Sequence, residues 1–83
     1  MYQVVIEKQA QKQLAKISSP DYAKVVAALK GLAADPRPHG YKKLKGRPGY
    51  RVRVGDYRIL YLIKDDVLTV FVLTIGNRRD VYD

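Results

Sequence analysis

The stretch from Tyr50 to Tyr61, YRVRVGDYRILY, decides the fold. Tyr50, Val52 and Val54 alternate with Arg51 and Arg53; after Gly55-Asp56 the alternation resumes, with Tyr57, Ile59 and Tyr61 against Arg58 and Leu60. Period-two alternation on both sides of a Gly-Asp pair reads as a β-hairpin with a two-residue loop. Closing it there predicts that Val54 faces Tyr57, Arg53 faces Arg58, Val52 faces Ile59 and Tyr50 faces Tyr61, because residues directly opposite share a face. Tyr50, Val52, Val54, Tyr57, Ile59, Tyr61 and Ile63 then form one face suited to a core. The other carries Arg51, Arg53 and Arg58, with two like charges directly across from one another, an arrangement that weakens a sheet. A local rule broken without internal compensation marks a functional position, and the natural compensation here is an external anion.

Working outward, residues 57–64 and 67–75 read as two further strands joined by a tight Asp65-Asp66 turn. Leu60, Leu62, Phe71 and Leu73 fall on the arginine face, so the middle strand is expected to be buried on both sides over part of its length. A one-residue slip at the turn would move the last strand's set across. Upstream, RPHGYKKLKGRPG (residues 37–49) reads as a loop by its Pro and Gly content. From Glu7, Ala10, Leu14 and Ile17 recur at helical spacing, with Lys8, Lys12 and Lys16 on another face, which predicts an amphipathic helix of about three turns. SSPD restarts the chain: Ser19 suits a cap, Pro20 the first helical position, and Asp21 complements the helix dipole. The second helix carries Tyr22, Val25, Val26, Leu29, Leu32 and Ala33 and stops at Asp35, before Pro36. Residues 2–6 are a short strand. The order is β-α-α-β-β-β: one α+β domain over residues 1–83, a helical hairpin packed on one face of an antiparallel sheet.

Eighty-three residues, 47% of them hydrophobic, support one modest core. The chain has no cysteine, which excludes disulfides and thiolate metal sites and fits a reducing cytoplasm. Lys64, Asp65 and Asp66 interrupt the longest apolar run, so no membrane span is expected. The opening MYQVVIEK lacks a basic n-region, so no signal peptide is expected either. Sixteen Lys and Arg against eight Asp and Glu give a net charge of +8. Arg37, Lys42, Lys43, Lys45, Arg47, Arg51, Arg53 and Arg58 are opposed over their span by Asp56 alone. Such a concentrated field attracts polyanions, of which nucleic acid is the commonest. Lys42, Lys43, Lys45 and Arg47 suit phosphate contacts that position an RNA without reading it. His39 stands without ligand partners, and Asp56 is a turn residue.

With KLKG before it and VFVLTIGNRRDVY after it, YRVRVGDYRILY resembles the RelE/ParE superfamily of bacterial toxins, and the expected element order matches that superfamily over almost the whole chain. The resemblance to the RelE branch implies a ribosome-dependent endoribonuclease that cuts mRNA in the ribosomal A site. Its reaction is attack of a ribose 2′-OH on the adjacent phosphate, with neither metal nor cofactor. It also implies a cognate antitoxin, an acidic extended or helical segment, beside mRNA and ribosome as partners. By that pattern the two basic strand residues are Arg51 and Arg53, the arginine of the next strand is Arg58, the arginine after the last strand's glycine is Arg78, and the late tyrosine is Tyr82. Arg79, next to Arg78, joins the RNA-binding set. Guanidinium groups stay charged and donate in a planar fork that fits phosphate, so they suit the developing charge of the transition state. Tyr82 suits stacking on an unpaired base. The chain departs from the prototype in carrying Arg51 and Arg53 in place of lysines. Arginine does not serve as a general base, so both are expected to bind phosphate and the base stays unassigned. Asn77 also stands where some branches have a histidine, and the segment from Arg78 to Tyr82 is shorter. Two other readings remain open: a ParE-like toxin acting on DNA gyrase, and a non-catalytic RNA- or ribosome-binding module.

Overall fold

In the computed structural model, which describes residues 1–77, strand β1 (Gln3–Ile6) leads into helices α1 (Lys8–Ala15) and α2 (Asp21–Ala34). Strands β2 (Lys42–Lys43), β3 (Tyr50–Val54), β4 (Tyr57–Lys64) and β5 (Thr69–Asn77) follow, with a short 3₁₀ turn at Asp65–Val67 between β4 and β5. They form one five-stranded sheet in the order β1-β5-β4-β3-β2. The hairpin register is the expected one: Val54 faces Tyr57, Arg53 faces Arg58, Val52 faces Ile59 and Tyr50 faces Tyr61.

The sheet departs from the expected all-antiparallel pattern at β1, which runs parallel to β5 with Gln3 opposite Thr69 and Ile6 opposite Val72. A tight hairpin enforces antiparallel pairing, but no such turn joins these two strands; nearly the whole chain separates them. The loop read at residues 37–49 also contains a strand, since Lys42 and Lys43 pair with Arg51 and Tyr50. β5 starts two residues later than expected. Asp65–Val67 coils as a 3₁₀ turn, Leu68 takes φ 47°, and both Val67 and Leu68 are exposed. Ser19 makes no side-chain cap to α2; the Tyr22 N–H donates to the Ser18 carbonyl instead.

A bulge in β5 reconciles its sequence with two faces. Leu60 pairs with Thr74 and Tyr61 with Val72, which leaves Leu73 as an extra residue. Val70 and Val72 before the bulge and Ile75 after it therefore all reach the helix side, each at most 1% exposed. They meet Ile59 and Tyr61 of β4, Ala10 and Ile17 of the α1 segment, and Val25, Leu29 and Leu32 of α2 in one core. Phe71 pairs with Leu62 on the arginine face, as expected. Across the sheet from the main core, Leu44 and Leu60 form a small second cluster.

Polar contacts tie the layers together. The backbone N–H of Ile75 donates to Gln13 Oε1 at 2.7 Å, which fixes α1 to β5. The buried Tyr61 hydroxyl donates to the Pro36 carbonyl at 2.8 Å, and burial holds its pKa above the usual tyrosine value. Asp65 accepts from both Arg37 nitrogens, at 3.2 and 2.9 Å, and from the Tyr2 hydroxyl, while Arg37 also lies over the Tyr50 ring at 5.9 Å. The Arg37 hydrogen bonds, and then that of Tyr2, hold the Asp65 carboxyl down at about 2.

Two outcomes follow for stability. Removing the Tyr61 hydroxyl strands a buried carbonyl, so Tyr61→Phe should cost about 1–2 kcal/mol in urea denaturation. A carboxylate whose folded pKa lies below its unfolded value of 3.8 stabilises the fold above that pH and loses its contribution as pH falls toward about 2. The urea midpoint should therefore drop between those pH values, and Asp65→Asn should flatten that part of the profile.

Candidate nucleic-acid interface

The sheet face turned away from the helices is organised by strand pairing into two rows. One row places Lys42 beside Arg51, Arg51 beside Leu60 and Leu60 beside Thr74. The next places Arg53 beside Arg58 and Arg58 beside Gly76. The rows stand two residues apart along the strands, about 7 Å. Arg51 is only 5% exposed, its stem lying in the sheet next to Leu60. Arg58 is half-buried with its Nε atom fully covered, and Arg53 is exposed. Gly76 presents no side chain beside Arg58. The pairing thus sets two arginine positions side by side and a third in the neighbouring row.

A short basic loop walls this face. In residues 44–49, Leu44 and Gly49 are buried while Lys45, Gly46, Arg47 and Pro48 are exposed. The Leu44 N–H donates to the Gly49 carbonyl at 3.0 Å and closes the loop. Arg47 lines two grooves. The first, about 580 Å³, lies between the loop and α1 and is also lined by Gln9, Gln13, Lys16, Tyr57 and Asn77. The second, about 540 Å³, runs toward the other end of β4 past Lys43, Leu62 and Lys64. A third, apolar groove of about 380 Å³ lies elsewhere, between β1 and the helices, where Leu14, Tyr22 and Val26 border Val4 and Ile6.

Arg51, Arg53 and Arg58 are thus brought together with Lys42, and Lys45 and Arg47 stand on the adjoining loop. Lys43 pairs with Tyr50 and lines the second groove instead of joining the arginine rows. Arg78, Arg79 and Tyr82 lie outside the described residues. His39 is exposed, and among the described residues no cluster of His, Asp and Glu could hold a metal ion. Sequence reasoning missed Gln9, Gln13 and Lys16, although their i, i+4, i+7 spacing marks a single polar stripe of α1. Tyr57 was read as core only, yet it also borders the first groove.

Residues 4–82 match the family model described as the ParE toxin of the type II toxin–antitoxin system. No curated protein matches the chain. Among solved structures, the chain is similar to the RelBE2 toxin–antitoxin complex of Mycobacterium tuberculosis at 30% identity, covering 93% of this chain and 98% of that one with a TM-score of 0.82. The archaeal RelE–RelB complex of Pyrococcus horikoshii matches at 28% identity, 96% and 98% coverage and a TM-score of 0.83. The intact RelBE complex of E. coli matches at 26%, 93% and 96%, with a TM-score of 0.80.

Like charges facing each other across a strand pair are destabilising. Arg53→Thr should therefore raise the urea midpoint, and the gain should shrink as salt screens the pair.

Proposed function

The chain belongs to the RelE/ParE superfamily of type II toxins, and on that footing we propose that it is a ribosome-dependent mRNA endonuclease that cuts in the A site. One observation carries the reading: Arg53 and Arg58 are paired across β3 and β4, two residues along from Arg51, on the face turned away from the main core. Such an array can offer several guanidinium donors to one phosphate. In the proposed reaction a ribose 2′-oxygen forms a bond to the neighbouring phosphorus as the bond to the 5′-oxygen breaks. The products are a 2′,3′-cyclic phosphate and a 5′-hydroxyl; the proton lost from the 2′-OH is balanced by one delivered to the leaving oxygen. Arg51, Arg53 and Arg58 stabilise the charge that builds on the phosphate oxygens, and they do so best when already fixed in place, as strand residues are.

Arg78 complements them after the last strand, and Tyr82 stacks on a base of the codon. Lys42, Lys45, Arg47 and Arg79 hold flanking phosphates, with Lys43 at the edge of the second groove. The described residues offer no histidine, cysteine or carboxylate on the arginine face to act as base, so the ribosome supplies the alignment that makes the attack efficient. The proposed setting is the cytoplasm, where a cognate antitoxin holds the toxin inactive; complexes of that kind are what the similar structures contain.

A second reading has its own support. The matching family model is that of the ParE toxin, and the set of residues on the arginine face does not by itself distinguish a nuclease from a gyrase-directed toxin.

The test adds purified protein to a translating extract programmed with a defined mRNA and maps new 5′ ends by primer extension. Cuts should fall within A-site codons and require ribosomes. Arg58→Ala should reduce them by about 100-fold or more, the usual loss when one preorganised charge-stabilising donor is removed, while antitoxin binding persists. Intact mRNA together with inhibited DNA supercoiling would establish the gyrase reading instead.

A further inference from the structure

Residues 44–49 carry two of the chain's cations, yet both ends of the segment are fastened. Leu44 is 4% exposed and packs on Leu60, itself 3% exposed, in a cluster separate from the main core. Gly49 takes φ +120°, and a Cβ there would come within 3.0 Å of the Tyr61 carbonyl oxygen and 3.1 Å of Leu44 Cδ1. Backbone is therefore pressed directly against the sheet, at a position that only glycine fills without strain. Just before the loop, β2 is paired with β3, and the Leu44 N–H to Gly49 carbonyl bond closes its neck. What stands out from the face is a four-residue crest with Lys45 and Arg47, and Arg47 borders a groove on each side.

We propose that this segment is a preset clamp for the backbone of single-stranded RNA, in which Leu44 is a positioning residue that holds Arg47 over a strand crossing from one groove to the other. The proposal rests on the RNA-directed reading above and adds a binding element to it. A guanidinium on a free loop must be ordered when the ligand arrives, and the cost of that ordering comes out of the affinity. Anchoring the loop on Leu60 settles the cost during folding. Arg47 is the lining residue the two grooves share, with Tyr57, Gln9 and Lys16 in one and Lys43 and Lys64 in the other. Leu44 touches no ligand, but its removal should behave as a partial loss of Arg47.

The experiment measures binding of a labelled single-stranded RNA oligonucleotide by fluorescence anisotropy across a salt series. Arg47→Ala should weaken binding roughly tenfold and lower the salt slope by about 0.7, the signature of one lost phosphate contact on a single strand. Leu44→Ala removes no charge, yet should weaken binding by a comparable factor, and the double variant should bind no worse than either single one. Leu44→Met should restore affinity, and thermal melting of each variant checks the fold. Leu44→Val provides the same comparison if the alanine variant does not fold. Additive losses, an inert Leu44→Ala or an unchanged salt slope in Arg47→Ala would each overturn the clamp. The nuclease reading stands or falls separately, on ribosome-dependent cleavage and its loss in Arg58→Ala, because the oligonucleotide assay requires no turnover.

Discussion

The two-residue turn at Gly55-Asp56 is the constraint from which the rest of the architecture follows. Gly55 adopts φ +59°, the left-handed conformation a tight hairpin needs at its first turn residue. With the turn closed there, every side chain of β3 and β4 is committed to a face. Tyr50, Val52, Ile59 and Tyr61 go to the helices, and Arg51, Arg53 and Arg58 go to the other side. A slip by one residue would exchange the two sets and drive guanidinium groups into the core, at a cost no small domain could carry. Register and core therefore enforce each other, and the cationic face is their joint product.

β4 is the strand on which both sides of the molecule are built. Ile59 and Tyr61 are fully covered by the helices, while Leu60 between them is covered by the 44–49 loop. This explains the nearly unbroken apolar run from Ile59 to Ile63, which resembles a strand buried on both faces more than one with a wet side. The same strand carries Arg58, whose backbone is held by strand pairing on both sides, to Arg53 of β3 and Gly76 of β5. Rigidity of that kind is what charge stabilisation requires and what a surface loop does not provide.

Legibility in the sequence followed the range of the interactions involved. The hairpin, both helices and the arginine face were readable because each rests on neighbours within a few residues: alternation, helical spacing, a turn dipeptide. The parallel pairing of β1 with β5 was not, because it joins residues from opposite ends of the chain and no local pattern encodes it. β2 was hidden in a Pro- and Gly-rich stretch, its two lysines showing no alternation to detect. The β5 bulge was hinted at by Val70, Val72 and Ile75, whose spacing breaks period two, but a single break does not say which residue is extra. At the interface, the cross-strand arginines were legible, whereas the α1 stripe of Gln9, Gln13 and Lys16 became part of it only through the packing of the helix on β5.

The parallel edge also sets the order in which this protein can come into being. Tyr2 and Asp65, 63 residues apart in the chain, are joined at one end of that edge, and β5 lies inside the sheet between β1 and β4. Until β5 has been synthesised, β1 has no strand beside it and the apolar sides of α1 and α2 lack Val70, Val72 and Ile75 to cover them. Early local structure cannot be consolidated one piece at a time. Contacts of such high sequence separation make for slow folding, so the cationic face acquires its full backing only when the last strand has taken its place between β1 and β4.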